Sequence, residues 1–390
     1  IRDDLVTGVQ TCALPISVAN FRFFASMIRE QEPEIFDTDD STNYVLYKPV
    51  GVGALITPWN LPLYLLSWKV APAIGMGNTV VCKPSELTPM TADLLMRAVD
   101  SVGLPAGVIN LVHGDGIGAG APLVGHPDVD LVSFTGGTST GEKVASSAAP
   151  MFKKVSLELG GKNSSIVFAD CDMEGTVAGV VRSGFLNQGQ VCLCGSRVLV
   201  EDSIYDEFEE KFVESVEALS IGDPSDESTQ LGALISKEHL QKVRGYVDLA
   251  LEEGGTVLTG GEPCLPSDFA GGNWMAPTVI SGLSPYSRCS TEEIFGPVVT
   301  LHRFETDDEA LEIANCTRYG LAGSVWTSDL ERGRRFSESI ETGMVWVNAW
   351  LHRDLRVPFG GVKDSGVGRE GGKWSLGFFS EAMDVCVKHD

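Results

Sequence analysis

Between Gly51 and Glu158, short apolar runs alternate with helical stretches at the spacing of a parallel sheet. The runs are 52–56 (VGALI), 79–82 (TVVC), 108–112 (VINLV), 130–134 (DLVSF) and 154–158 (KVSLE). They read as buried strands, and Thr88-Pro89 opens one of the helices between them, an N-cap type followed by proline at the first helical position. Strand-helix alternation of this kind gives an open, doubly wound α/β domain, which binds ligands beyond the carboxyl ends of its strands. Residues 61–76 form the longest apolar stretch, but Trp68, Lys69 and two prolines interrupt it, so it reads as a buried helix and not a membrane span.

A second α/β unit begins at Gly161. Its expected elements are a strand at 165–168, a long helix near 172–187, a strand at 196–200 and a helix over 203–219. Residues 35–48 and 379–389 alternate more openly. They are expected to be strands outside both cores, with edges available to another subunit.

With 390 residues, more than one domain is expected. The formal net charge of −24 argues against a nucleic-acid partner, which needs a basic face. Nine cysteines without a CxxC pair, and six scattered histidines, give no metal-ligand cluster. In a large chain without a secretory signal, this cysteine usage suggests a reducing compartment, here the cytoplasm.

The chemistry concentrates at the ends of the predicted strands. Glu158 closes an apolar strand just before Gly160-Gly161. A carboxylate there is either a structural hydrogen-bond acceptor or a general base in a partly dry site. Cys192 follows Asn187, Gly189 and Gln190, a polar, tight turn that would expose a thiol; Cys194 is its competitor. A thiol attacks a carbonyl, and a carboxylate activates the water that releases the product. Thr57-Pro58-Trp59-Asn60 follows the first strand, where Asn60 is either a turn residue or a donor to a developing oxyanion. Lys83-Pro84-Ser85-Glu86 follows the second, where Glu86 sits in a solvated turn or holds ribose hydroxyls. Phe134-Thr135-Gly136-Gly137-Thr138 lets a pyrophosphate approach a helix N-terminus, and the glycine-rich loop around Gly116 is a weaker signal of the same kind. Glu292-Glu293-Ile294-Phe295-Gly296-Pro297 pairs acids with an aromatic before a turn.

In order along the chain, TPWN, KPSE, FTGG, LELGGK, NQGQVC, EEIFGP and PFGGVKDSG resemble the motifs of the aldehyde dehydrogenase superfamily, from about Ser17 to His389. The resemblance implies a Rossmann-type cofactor domain, an α/β catalytic domain and a small oligomerisation extension. On that basis the domains are expected at 50–160 (NAD-binding) and 161–375 (catalytic), with oligomerisation strands at 35–49 and 376–390. It also implies Cys192 as nucleophile, Glu158 as general base, and Asn60 with the Cys192 N–H as oxyanion donors. NAD is the implied cofactor. Thr57, Pro58, Trp59, Ser85, Gly116 and Phe134 are expected beside it. Lys83 and Glu86 are expected at the adenosine ribose, Gly136 and Gly137 at the pyrophosphate, Glu293 at the nicotinamide ribose and Phe295 against the nicotinamide. Gly137 stands where the family commonly has serine.

Within the superfamily, Trp350–Arg356 ahead of Val357-Pro358-Phe359 is similar to the 2-aminomuconic and 2-hydroxymuconic semialdehyde dehydrogenases. Arg353, or alternatively Arg356, is expected to clamp a substrate carboxylate; ion pairing with Asp354 is the competing role. Betaine aldehyde and succinic semialdehyde are alternative substrates, and a homodimer or homotetramer is the implied assembly. Residues 1–16 show no sustained helical or strand period, and 6–16 resemble a translated sequencing adapter. Native sequence is expected to begin near Ser17, with 17–34 a remnant of the cofactor domain's N-terminal region and about a hundred residues absent before it. A non-catalytic fragment and a cofactor-free thiol hydrolase are the rival expectations for such a chain.

Overall fold

The computed structural model describes residues 9–264 and 272–389. In chain order the elements up to Glu158 are α1 (Val9–Arg29), β1 (Ile35–Asp37), β2 (Ser41–Pro49), β3 (Val52–Ile56), α2 (Pro62–Gly75), β4 (Thr79–Lys83), α3 (Met90–Ser101), β5 (Ile109–Leu111), α4 (Ala121–Val124), β6 (Leu131–Thr135), α5 (Thr138–Ala148) and β7 (Lys154–Glu158). Then follow β8 (Ser164–Val167), α6 (Met173–Phe185), β9 (Arg197–Glu201), β10 (Thr256–Thr259), β11 (Thr278–Ser281), β12 (Val298–Phe304), β13 (Tyr319–Gly320), β14 (Ala322–Trp326), β15 (Met344–Val347), β16 (Val362–Lys363), β17 (Gly366–Val367) and β18 (Ser380–Lys388), with further helices between them. The chain divides into two units. The first comprises Gln10–Glu158, Asp354–Gly360 and the residues from Val367 onward; the second comprises Leu159–Arg353 and Gly361–Gly366.

In the first unit a six-stranded sheet runs β17-β7-β6-β3-β4-β5. The pairings β6–β7, β3–β6, β3–β4 and β4–β5 are all parallel, so β3, β4, β6 and β7 end on one edge. Its core joins Leu55, Val80, Cys82 and Leu131 from the sheet to Leu66, Val70 and Ala73 of α2. The apolar stretch at 61–76 is thus a buried helix, and no described helix is long and apolar enough to cross a membrane. The helix after KPSE starts at Met90, and Thr88 does not cap it; Pro89 holds the cap position and its carbonyl accepts from Ala92 and Asp93. Proline's fixed φ suits the helix entry without a side-chain cap.

A further sequence expectation changes in this unit. Residues 1–8 lie outside the described residues, but α1 begins at Val9 and so includes part of the segment expected to lack a helical period. Propagating an existing helix is far easier than nucleating one, and α1 is anchored further along. Phe24 is buried with its ring 5.4 Å from that of Trp68, and Asn20 Nδ2 donates to Ser67 Oγ at 3.0 Å. The two open strands lie, as expected, outside the six- and seven-stranded sheets, and they pair with each other. β2 lies between β1 and β18, antiparallel to both, with Ser41 opposite Lys388 and Pro49 opposite Ser380.

The second unit carries a seven-stranded sheet, β10-β11-β12-β9-β8-β14-β15, parallel except for β10–β11. Ile166, Phe168, Leu199, Phe304 and Val325 pack one buried cluster on it, and Val243, Val247, Ile280 and Val298 another. β13 and β16 form a separate antiparallel pair.

Candidate active site

In the first unit the predicted cofactor and acid residues share the carboxyl edge of the parallel sheet, because each follows or closes a parallel strand. Thr57 and Asn60 are buried, Pro58 and Trp59 half-buried, and Thr57 N donates to the Lys83 carbonyl at 3.2 Å. This bond ties the ends of β3 and β4 together. Lys83 is buried, and its Nζ lies 3.2 Å from Glu86 Oε2, whose side chain is half exposed. Ser85 Oγ accepts from Leu87 N at 3.3 Å and fixes the turn. Gly116 is exposed in a short turn of π-helix, where the Asp115 carboxylate accepts from Gly118 N. Phe134 is buried, and its ring occupies the space that a Cβ on Gly136 would need. Gly137 caps α5 without a side-chain hydrogen bond, and a Cβ there would meet nothing within 4 Å.

Glu158 is buried at the end of β7, and its carbonyl accepts from Gly136 N at 3.0 Å. A Cβ on Gly360, whose φ is +146°, would lie 2.6 Å from Glu158 Oε1. The glycine of PFGG therefore makes room for the carboxyl group. In the same unit a charge cluster is buried that no motif announced. Lys69 Nζ is 2.6 Å from Glu370 Oε1 and 2.8 Å from Ser133 Oγ. The only sequence trace of it was a lysine interrupting an apolar helix.

In the second unit, α6 ends at Phe185, earlier than the expected 187. Asn187, Gln188 and Gly189 then take left-handed φ values of 53°, 57° and 68°. Two of these are not glycine, an uncommon backbone that gathers where function needs an unusual path. A Cβ on Gly189 would overlap the Gly296 carbonyl, so the NQGQVC and EEIFGP loops lie back to back.

Cys192 follows, half-buried, in a turn closed by Cys194 N donating to the Val191 carbonyl at 3.0 Å. Cys194 is buried, and burial pushes its thiol up to about 12, so it stays protonated near neutral pH. Asn163 Nδ2 donates to the carbonyls of Cys192 at 2.7 Å and Cys194 at 2.9 Å, while Trp350 Nε1 donates to that of Leu193 at 2.9 Å.

The two glycines of LELGGK have separate steric reasons. A Cβ on Gly160 would overlap the Glu293 carboxylate, and one on Gly161 would lie 2.8 Å from the Cys192 carbonyl oxygen. Glu293 Oε1 accepts from Gly161 N at 3.0 Å; burial raises its pKa, opposed by that bond and by Lys242 and Lys162. Phe295 has φ 62°, and its carbonyl is 2.6 Å from His239 Nε2. Buried Ser365 of the DSG motif donates to the Gly160 carbonyl at 2.6 Å and accepts from Gly320 N at 2.9 Å.

Of the two arginines expected at the substrate, Arg353 is half-buried in the second unit. Arg356, in the first, is exposed, and its Nε lies 2.9 Å from Asp354 Oδ1. That contact holds the Asp354 carboxyl down at about 2.

The Aldehyde dehydrogenase family model matches residues 9–385. The chain belongs to the aldehyde dehydrogenase family. It is accordingly an oxidoreductase acting on a small aldehyde. The α/β fold is that of the family: a betaine aldehyde dehydrogenase from Staphylococcus aureus, solved in complex with NAD+, superposes with a TM-score of 0.94 at 40% identity, covering 96% of this chain and 75% of that one. Among relatives, a 2-aminomuconic semialdehyde dehydrogenase of Danio rerio is 50% identical over 389 residues, 98% of this chain and 80% of its own length. A 2-hydroxymuconic semialdehyde dehydrogenase of Pseudomonas putida is 49% identical over 377 residues, 95% of this chain and 78% of its own. Asn163, Trp350, Lys69 and Glu370 are polar residues of this aldehyde dehydrogenase to which the sequence alone assigns no site role. For Asn163 a signal existed, since it directly follows the LELGGK motif.

Proposed function

We propose that the chain oxidises a muconic-type semialdehyde, which carries a carboxylate, to the corresponding acid through a thioester on Cys192, with NAD as cofactor. The observation that carries this reading is the half-buried Cys192 thiol on a turn whose carbonyls are all engaged, beside a second thiol that burial keeps protonated. The first unit suits a dinucleotide. The edge where its strands end has an open glycine at the start of α5, an N-terminus without a side-chain cap, and Lys83 with Glu86 at the end of β4, two strands from β6.

In this reading Thr57, Pro58, Trp59, Ser85, Gly116 and Phe134 shape the cofactor pocket. Lys83 and Glu86 hold the adenosine ribose, Gly136 and Gly137 admit the pyrophosphate, Glu293 binds the nicotinamide ribose and Phe295 packs against the nicotinamide. NAD, when bound, accepts the hydride. The Cys192 thiolate adds to the aldehyde carbon, and the Asn60 amide and the Cys192 N–H donate to the oxyanion, each donor typically supplying about 3 kcal/mol. Collapse of the oxyanion breaks the aldehyde C–H bond, releasing the hydride and leaving a thioester on Cys192. Glu158 takes a proton from the water that attacks the thioester, which releases the acid and restores the thiol. The exposed Ile35, Phe36, Leu46, Tyr47 and Val387 of the β1-β2-β18 sheet favour a homo-oligomer, and the free thiols suit a reducing cytoplasm.

Arg353 is the proposed clamp for the substrate carboxylate, because it is half-buried in the unit that carries Cys192, whereas Arg356 is exposed. Replacing Arg353 by Ala is expected to raise KM for 2-hydroxymuconic semialdehyde by about 10- to 100-fold, the loss of a hydrogen-bonded charge, and to change KM for a neutral aldehyde less than about twofold. Steady-state NADH formation measures both; equal effects on the two substrates would refute the clamp.

A further inference from the structure

We infer that Asn163 and Trp350 are positioning residues for the nucleophile, holding the peptide groups around Cys192 so that its thiol and its N–H face the reacting carbonyl. The inference deepens the proposed function and rests on Cys192 being the nucleophile. A trans peptide carries its C=O and N–H on opposite sides, so a carbonyl held from one side commits the N–H of the same peptide to the other. Around Cys192 this constraint acts four times in succession. The Val191 carbonyl, which shares a peptide with the Cys192 N–H, accepts from Cys194 N at 3.0 Å. The carbonyl of Cys192 accepts from Asn163, that of Leu193 from Trp350, and that of Cys194 from Asn163 again and from Ser196 N at 3.0 Å.

Both donors are themselves fixed. Asn163 is buried ahead of β8, and its Oδ1 accepts from Ala322 N, at the start of β14, at 3.0 Å. The amide therefore links the central sheet of the second unit to the nucleophile turn. Trp350 is buried, with the Arg182 guanidinium 5.6 Å from its ring centroid and Arg182 Nη1 donating to its carbonyl at 3.2 Å. Arg182 stands in the last turn of α6, the helix that leads into the turn. Gly161 is part of the same device, because a Cβ there would lie 2.8 Å from both the Cys192 carbonyl and Asn163 Oδ1.

Attack on a carbonyl tolerates little misplacement, with shifts of about 1 Å able to cost on the order of 10²-fold in rate. Removing one donor should therefore slow the chemical step more than it weakens binding. The test is single-turnover NADH formation by the full chain saturated with NAD and mixed with 2-hydroxymuconic semialdehyde. Trp350→Phe keeps the apolar body and removes only the indole N–H. Its burst rate should fall by roughly tenfold, with KM and NAD affinity held within about twofold. Asn163→Ala removes two of the held carbonyl contacts and should lose more. A merely structural role would lower the melting temperature or the burst amplitude and leave the burst rate per active site unchanged, and that result for Trp350→Phe would overturn the inference. If Asn163→Ala does not fold, Trp350→Phe decides alone. Cys192→Ala separates the two claims. It should give no NADH; a burst from it would refute the nucleophile assignment itself, whatever the Trp350 result.

Discussion

Lys69 and Lys162 are both buried lysines, and the two units treat them in opposite ways. In the first unit Lys69 is an ion pair, its Nζ 2.6 Å from Glu370 and 2.8 Å from Ser133. In the second, Lys162 Nζ has no hydrogen-bond partner among the described residues. Burial, reinforced by Arg197 and only partly offset by the nearby Glu293 carboxylate, lowers its pKa to about 7. An interior can keep an amine by supplying a counter-charge or by taking its proton away. The residues next to each lysine do not reveal which, since the partner of Lys69 lies 301 positions along the chain.

The largest expected effect comes from breaking the pair. Lys69→Met leaves the Glu370 carboxylate buried without its counter-charge and should cost about 3–5 kcal/mol of stability, read by urea unfolding. Adding Glu370→Leu should recover most of that loss. A single variant as stable as the parent would show that the pair is dispensable.

Lys162→Met should act in the opposite direction, making the protein about 1–4 kcal/mol more stable at pH 7. The sign follows from proton binding. With a folded pKa of about 7, below the ~10.4 of an unfolded lysine, the unfolded chain holds more protons between those values. Stability should then rise with pH across that window, by up to about 1.4 kcal/mol per pH unit from this group. The variant should lack this increment, and equal slopes in parent and variant at pH 7, 8 and 9 would contradict an unpartnered amine.

The smallest effect is expected where the same kind of pair stands in water. The Arg356 and Asp354 side chains are 78% and 42% exposed, so Arg356→Ala should leave the urea unfolding midpoint nearly where it is in the parent. A larger loss would mean that exposure does not set the worth of ion pairs in this molecule.

The contrast also marks how far the chain could be read by eye. Strands β3 to β9 were legible because apolar runs bounded by turn formers have one economical arrangement, and the site loops because glycines and polar residues cluster where those strands stop. The acid, the thiol and the amide of Asn60 stood inside such clusters. What stayed hidden depends on distance along the chain. Trp350 reaches the carbonyl of a residue 157 positions earlier, and a tryptophan after a strand has no local mark of that duty. Asn163 acts on backbone carbonyls, which carry no residue type. The Thr88 cap failed for a different reason, since Pro89 took the cap position and its carbonyl does the local bonding. The helical start of α1 at Val9 was hidden because its anchors, Asn20 and Phe24, lie further along and dock on α2.

The antiparallel ladder between β2 and β18 imposes an order on biosynthesis. Thr42 Oγ1 meets His389 Nε2 at 2.9 Å across 347 positions of sequence. Ser41–Pro49 is synthesised well before Ser380–Lys388, so it waits without its long neighbour until that strand has emerged and the ladder can zip. Pairing across such a separation is slow, and β2 is a stretch on which chaperones have time to act.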